Sequence, residues 1–353
     1  MTAPHDTPGT PSQSSPEAAG GAAPAPLKPA ARYPAMNDPQ QQPRYAGIPT
    51  FFRTPVAQAL SDADIGLIGV PFDGGVTNRP GARHGPREVR NQSSLLRPVN
   101  TATGATPFAD HRVRDLGDCW IEQPYELGGA LSEIEAFYRR VVAAGVTPVT
   151  CGGDHSIAFP ILRAVAASGP IGMVHIDAHG DTGDDYMGSR YQHGTPFRRA
   201  VEEGLLDPAR VIQIGLRGTS TVPGSLWQFS ESSGMRVLPM DELHDRGWRW
   251  AVEEARRVVG TQPCYLSFDI DSLDPVWAPG TGTPEAGGLT AIEAQRIVRG
   301  LMGLDVVAAD MVEVSPPFDV GGLTAFHGAS MLFEILCVAA AARTARQART
   351  GAA

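Results

Sequence analysis

Apolar residues recur along the chain in two rhythms. Short, nearly unbroken apolar runs at residues 65–70, 147–150, 171–176, 211–214, 264–268 and 306–314 have the length and β-branched content of buried strands. Between and after them, residues 131–142, 157–167, 250–259, 292–301 and 325–342 repeat apolar positions at helical spacing. Pro86 stands where a helix would begin, with Val89 and Leu95-Leu96 on its inner side, and Ser156 is a candidate cap for the helix at 157–167. Strand–helix alternation at this spacing predicts an α/β fold, a three-layer α-β-α arrangement with a mostly parallel central sheet. In such sheets the ligand site lies at the carboxyl ends of the strands.

The rhythm is absent at the start of the chain. Residues 1–43 are dominated by Pro, Ala, Gly, Ser and Gln, and so predict a disordered tail that cannot offset its ordering entropy. A single domain is expected over 44–345, then a short flexible C-terminus over 346–353. The 353 residues and 42% hydrophobic content allow a sizeable core. A net charge of −9 argues against nucleic acid or an anionic membrane as partner. The apolar stretch 328–342 carries Glu334 and is shorter than the ~20 residues a bilayer span needs, so it reads as a buried helix. Residues 1–30 lack a basic start and an apolar core of the secretory kind, so a cytoplasmic location is expected. Cys119, Cys151, Cys264 and Cys337 form no C-x-x-C pair and read as reduced, buried thiols.

Three short runs carry the chemistry. They are Gly152-Gly153-Asp154-His155-Ser156, Asp177-Ala178-His179-Gly180-Asp181 and Ser267-Phe268-Asp269-Ile270-Asp271, each following a strand-like stretch. Alternate residues leaving a strand point the same way, so the Asp-x-His-x-Asp and Asp-x-Asp spacings converge their side chains. Taken alone, each run could be a polar loop, a helix cap or a hydrogen-bonded core histidine. Together they predict one metal site built from several strand ends. Carboxylates with imidazoles suit Mn²⁺ or a similar divalent ion, and the ligands suffice for two. Asp274, before Pro275, is assigned to a turn, and His175 to a satisfied interior position.

In this order and spacing the runs resemble the signatures of the ureohydrolases, the arginase and agmatinase family. Asn78-Arg79-Pro80-Gly81-Ala82-Arg83, His193-Gly194-Thr195-Pro196-Phe197, Gly280-Thr281-Gly282-Thr283-Pro284-Glu285 and Glu313-Val314-Ser315-Pro316-Pro317 extend the match over roughly 44–345. The resemblance implies two Mn²⁺ per subunit, with Ni²⁺ an alternative. It implies that His155, Asp177, Asp181 and Asp269 hold one ion, and Asp177, His179, Asp269 and Asp271 the other. It further implies that Asp181 orients the attacking water, that Glu313 pairs with a guanidinium and that His193 passes a proton to the leaving amine. Similar enzymes form homotrimers and homohexamers. The chain departs from the usual pattern at Gly180, where Thr is common, and at Trp277.

The implied reaction cleaves a small guanidino substrate to urea and an amine. The Gly280–Glu285 run resembles the agmatinase branch, which makes agmatine the first expected substrate. Guanidino acids such as 4-guanidinobutyrate or 3-guanidinopropionate, and free guanidine, are the alternatives. Asp184 and Asp185 could attract an ammonium tail, Arg190 or Arg217 a carboxylate, and Trp277 could pack in the core or instead narrow the pocket. A one-metal zinc deacetylase and a non-catalytic metal protein fit the full ligand set less well.

Overall fold

The computed structural model describes residues 43–220 and 226–351, so the expected tail at 1–43 lies, but for Pro43, outside the described residues. The strands are β1 (Ile65–Gly69), β2 (Val113–Asp118), β3 (Thr147–Cys151), β4 (Ile171–Ile176), β5 (Leu206–Leu216), β6 (Arg236–Pro239), β7 (Cys264–Asp269) and β8 (Val306–Val312). They form one sheet in the order β2-β1-β3-β8-β7-β4-β5-β6. Every pairing within it is parallel.

The helices are α1 (Gly85–Ser93), α2 (Pro107–Asp110), α3 (Leu127–Ala143), α4 (Ala158–Val165), α5 (Pro196–Glu202), α6 (Gln228–Ser233), α7 (Met240–Arg246), α8 (Trp248–Val259), α9 (Ala291–Gly300) and α10 (Leu323–Gly351). Strand residues alternate between the two faces. Val174, Ile176, Leu266 and Phe268 join a core with α1, α8, α9 and α10. Ile171, Met173 and Tyr265 join a second core with α3, α4 and α5. A sheet covered on both faces explains why its strands read as continuous apolar runs. The fold is the expected three-layer α-β-α arrangement.

Several elements depart from the pattern. β2 escapes it because its inner edge is charged: Asp115 and Asp118 pair with Arg90, and Asp115 accepts the Phe51 N–H. β6 spans only four residues. Ser156 is not the cap before α4. The Asp154 carboxylate accepts the Ser156 N–H instead and opens a single 3₁₀ turn, His155–Ile157. Leu95 lies beyond α1 and is exposed. The C-terminus is also more ordered than expected, since α10 continues to Gly351. Arg346 and Arg349 bond the Asp305 carboxylate at 2.7 and 2.9 Å, so ion pairs hold a stretch that has no apolar stripe. α10 is long and apolar enough to cross a membrane, yet 83% of its most apolar window is buried within the protein. Apolarity on all sides marks it as a core helix.

Candidate metal centre and active site

Four neighbouring strands, β3, β8, β7 and β4, aim their carboxyl ends at one place. His155 follows β3, the Asp177–Asp181 run follows β4, Asp269 and Asp271 close β7, and Glu313 follows β8. The sheet thus assembles the groups that the sequence holds up to 158 residues apart. Two of them sit in strained backbone: Asp181 has φ 49° and Glu313 has φ 66°. Non-glycine residues adopt that region only when their surroundings impose it.

His155 is fully buried. Its Nε2 bonds Ser267 Oγ at 2.8 Å, and that hydroxyl donates to Asp310 Oδ1 at 2.7 Å. The hydroxyl's one hydrogen is therefore committed, so Nε2 carries the imidazole hydrogen and Nδ1 presents a lone pair. Nδ1 makes no directed hydrogen bond. It lies 2.9 Å from Asp181 Oδ2 and 3.2 Å from both Asp177 Oδ2 and Asp269 Oδ2. Four acceptors face one another with no donor among them, which is the arrangement a cation needs. Burial opposes a charge on His155, but the three carboxylates hold its pKa well above the usual value. A proton and a metal ion compete for that position.

Asp177 joins this group to a second one. Its Oδ1 lies 3.5 Å from His179 Nδ1, which is 3.1 Å from Asp271 Oδ2. Burial opposes a charge on His179, yet Asp271 and Asp177 drive its pKa to about 12. Burial, then Asp271 and Asp177, push Asp269 well above the carboxylate range. Buried carboxylates this close to one another raise each other's pKa in this way. The expected ligands His155, Asp177, His179, Asp181, Asp269 and Asp271 are thus brought together around two donor groups, which share Asp177.

Beside them, His193 Nδ1 bonds Glu313 Oε1 at 3.0 Å, and the same oxygen accepts the His155 N–H at 2.8 Å. Burial lowers the pKa of His193, but the Glu313 carboxylate prevails and raises it to about 9. Glu313 Oε2 is buried beside Gly282 without a hydrogen-bond partner among the described residues. A cavity of about 640 Å³ opens over Asp181, His179, Asp269 and His193 and runs past Thr77, Asp184, Arg198 and Phe229.

The residues expected to read the substrate tail fare unevenly. Asp184 lines the cavity, but Arg198 and Arg199 pair with it at 2.9 and 2.8 Å. Arg190 is exposed, bonds Glu202 at 2.8 Å and does not line the cavity. Arg217 is buried and donates to the carbonyls of Gly215, Asp271, Ser272, Leu273, Glu285 and Ala286, so it clamps backbone and cannot attract a carboxylate. Trp277 lies outside the cavity lining, 37% exposed, with its ring edge-on to His327. It neither narrows the cavity nor packs in the core. At Gly180 an added Cβ would meet Thr182 Oγ1 at 3.3 Å, so the loop closes around the missing methyl.

Other groups went unforeseen. His175 Nε2 donates to Asp177 Oδ2 at 2.7 Å, and Gln213 Nε2 donates to His175 Nδ1 at 3.0 Å, so a two-residue chain orients Asp177. Asp310 was legible as a carboxylate inside an apolar strand run. Arg198, in the cavity wall, and Thr77 had no such signal.

A parallel α-β-α sheet that gathers these donors at its central strand ends defines the class of the ureohydrolases. The Arginase family model matches residues 63–338, and the chain belongs to that family. It is 55% identical to the guanidinopropionase of Pseudomonas aeruginosa over 316 residues, 89% of this chain and 99% of that protein. It is 46% identical to the mitochondrial agmatinase of Gallus gallus, over 91% of this chain and 94% of that one. The solved proclavaminate amidino hydrolase from Streptomyces clavuligerus superposes with a TM-score of 0.81 at 39% identity, covering 85% of this chain and 99% of that one.

Proposed function

We propose that this protein hydrolyses a guanidino acid to urea and an amino acid. The alternative substrate class therefore displaces agmatine. The carrying observation for guanidino chemistry is the buried, unpartnered Oε2 of Glu313, because a guanidinium N–H satisfies such an oxygen. The acid is favoured over the amine by charge at the far wall. There three guanidinium groups, Arg190, Arg198 and Arg199, meet two carboxylates, Asp184 and Glu202. The cluster as a whole has a cationic excess; of its members Arg198 and Asp184 line the cavity, and Arg198 is the cationic one. The relationship to guanidinopropionase supports the same reading.

The donor set fits two divalent cations. His155, Asp177, Asp181 and Asp269 would hold one, and Asp177, His179, Asp269 and Asp271 the other, with Mn²⁺ favoured by the carboxylate-rich set and Ni²⁺ the alternative. Such ions supply Lewis-acid polarisation and bring the pKa of water from ~15.7 to about 7. The chain's own residues do the rest. Glu313 fixes the guanidinium, Asp181 accepts a hydrogen bond from the attacking water, and His193 supplies the proton that the leaving amine needs. Arg198 reads the carboxylate tail.

Urea release from 3-guanidinopropionate, 4-guanidinobutyrate, agmatine and guanidine, on Mn²⁺- and Ni²⁺-loaded protein, tests this. The expected order places a guanidino acid first. Preferred turnover of agmatine would overturn the acid assignment, and silence on all four would overturn the amidinohydrolase.

A further inference from the structure

We propose that the Thr77 hydroxyl is the exit through which His193 passes its proton into the cavity. The inference rests on the amidinohydrolase reading above. Both ring nitrogens of His193 are engaged. Glu313 Oε1 is a carboxylate acceptor, so the facing Nδ1 carries a hydrogen. Nε2 faces Thr77, with Oγ1 at 2.8 Å, and accepts the Thr77 backbone N–H at 3.2 Å, so its lone pair is presented to this residue. The ring thus has two exits for a proton, and Thr77 is the one that lines the cavity.

A hydroxyl suits both states of the ring. It donates to the Nε2 lone pair of the neutral imidazole and accepts the Nε2–H of the imidazolium. The transfer balances simply. The leaving amine nitrogen takes the Thr77 hydroxyl hydrogen and forms an N–H bond while Oγ1 takes the Nε2 hydrogen. One proton moves from imidazolium to amine, and Thr77 ends unchanged.

The loop that carries Thr77 is built to hold it there. Gly75 N–H bonds Asp154 Oδ2 at 2.7 Å, and Gly75 O accepts the His193 N–H at 2.9 Å. A Cβ on Gly75 would stand 2.8 Å from Ser156 Oγ, so the loop approaches as closely as glycine permits. Gly81 N–H bonds Asp73 Oδ2 at 2.7 Å and closes the far side. The turn that presents His155 therefore also fixes Thr77 against His193.

The test compares Thr77→Val, which keeps the shape and the backbone N–H, with Thr77→Ser, which keeps the hydroxyl. Thr77→Val should lower kcat roughly 10- to 100-fold with KM little changed, and Thr77→Ser should restore most of it. Metal content and melting temperature should match wild type in both. Near-wild-type kcat in Thr77→Val, or an equal loss in Thr77→Ser, would overturn the proposal. Neutron diffraction from deuterium-exchanged wild-type crystals gives a second readout. Deuterium on Nδ1 and between Nε2 and Oγ1 is expected, and a hydroxyl turned to another acceptor overturns the relay. That map decides the geometry even if wild type releases no urea, an outcome that would count against the amidinohydrolase instead.

Discussion

Asp177 touches everything at the centre: one oxygen faces His155 and His175, the other His179. Replacing it removes a donor from both groups at once. Asp177→Asn should therefore lose both ions, whereas Asp271→Asn should lose mainly one, as elemental analysis of purified protein would show. Two ions per chain in Asp177→Asn would end the shared-ligand assignment. Glu313 acts differently, since it touches donors through His155 N–H and His193 but leaves Oε2 for substrate. Glu313→Gln should keep its metal and lose about a thousandfold in kcat/KM, the equivalent of the ~3–5 kcal/mol set by an unpaired buried charge. The ligands were legible because each run follows a strand end, and two of the three pair alternate residues there. Thr77 was not, because its partner His193 lies 116 residues away and a threonine in a loop carries no signature. Gln213 escaped because its partner His175 lies 38 residues away, and His175 was legible only as a satisfied interior histidine.

At the level of elements, the turn between β3 and α4 shows how little slack the site has. Gly153 donates to Val70 O and accepts the Glu313 N–H, which ties β1, β3 and β8 together. A Cβ there would overlap the Phe72 backbone carbonyl. Gly153→Ala should thus lower the melting temperature markedly and weaken metal retention, because the backbone itself must yield. A variant with wild-type melting and full metal would contradict that packing. Most strands and long helices could be placed from apolar rhythm alone. β2 could not, since its Asp115 is buried by pairing with Arg90 rather than by being apolar, and its Asp118 is exposed. The last turns of α10 were hidden because Arg346 and Arg349 hold them through Asp305. Rhythm reports burial of apolar surface, and these elements are fixed by charge.

Over the whole molecule, the order of strands was invisible to local pattern, because period and composition say nothing about neighbours. That order has a consequence for biosynthesis. β8, the last strand in chain order among the described residues, lies between β3 and β7 in the middle of the sheet. A ribosome releases β1 to β7 first, as two half-sheets whose inner edges have nothing between them. Unpaired edges of apolar strands invite association with other chains. A chain stopped at Asp305 should sediment with aggregates and retain no metal, whereas stopping after α10 at Gly351 should leave both intact. The donor groups come from strands on either side of that gap, so β8 acts as the keystone. Nascent protein should therefore need shielding from its neighbours until β8 arrives, and stop codons that fall between β1 and β8 should yield inert, sticky fragments rather than weak enzymes.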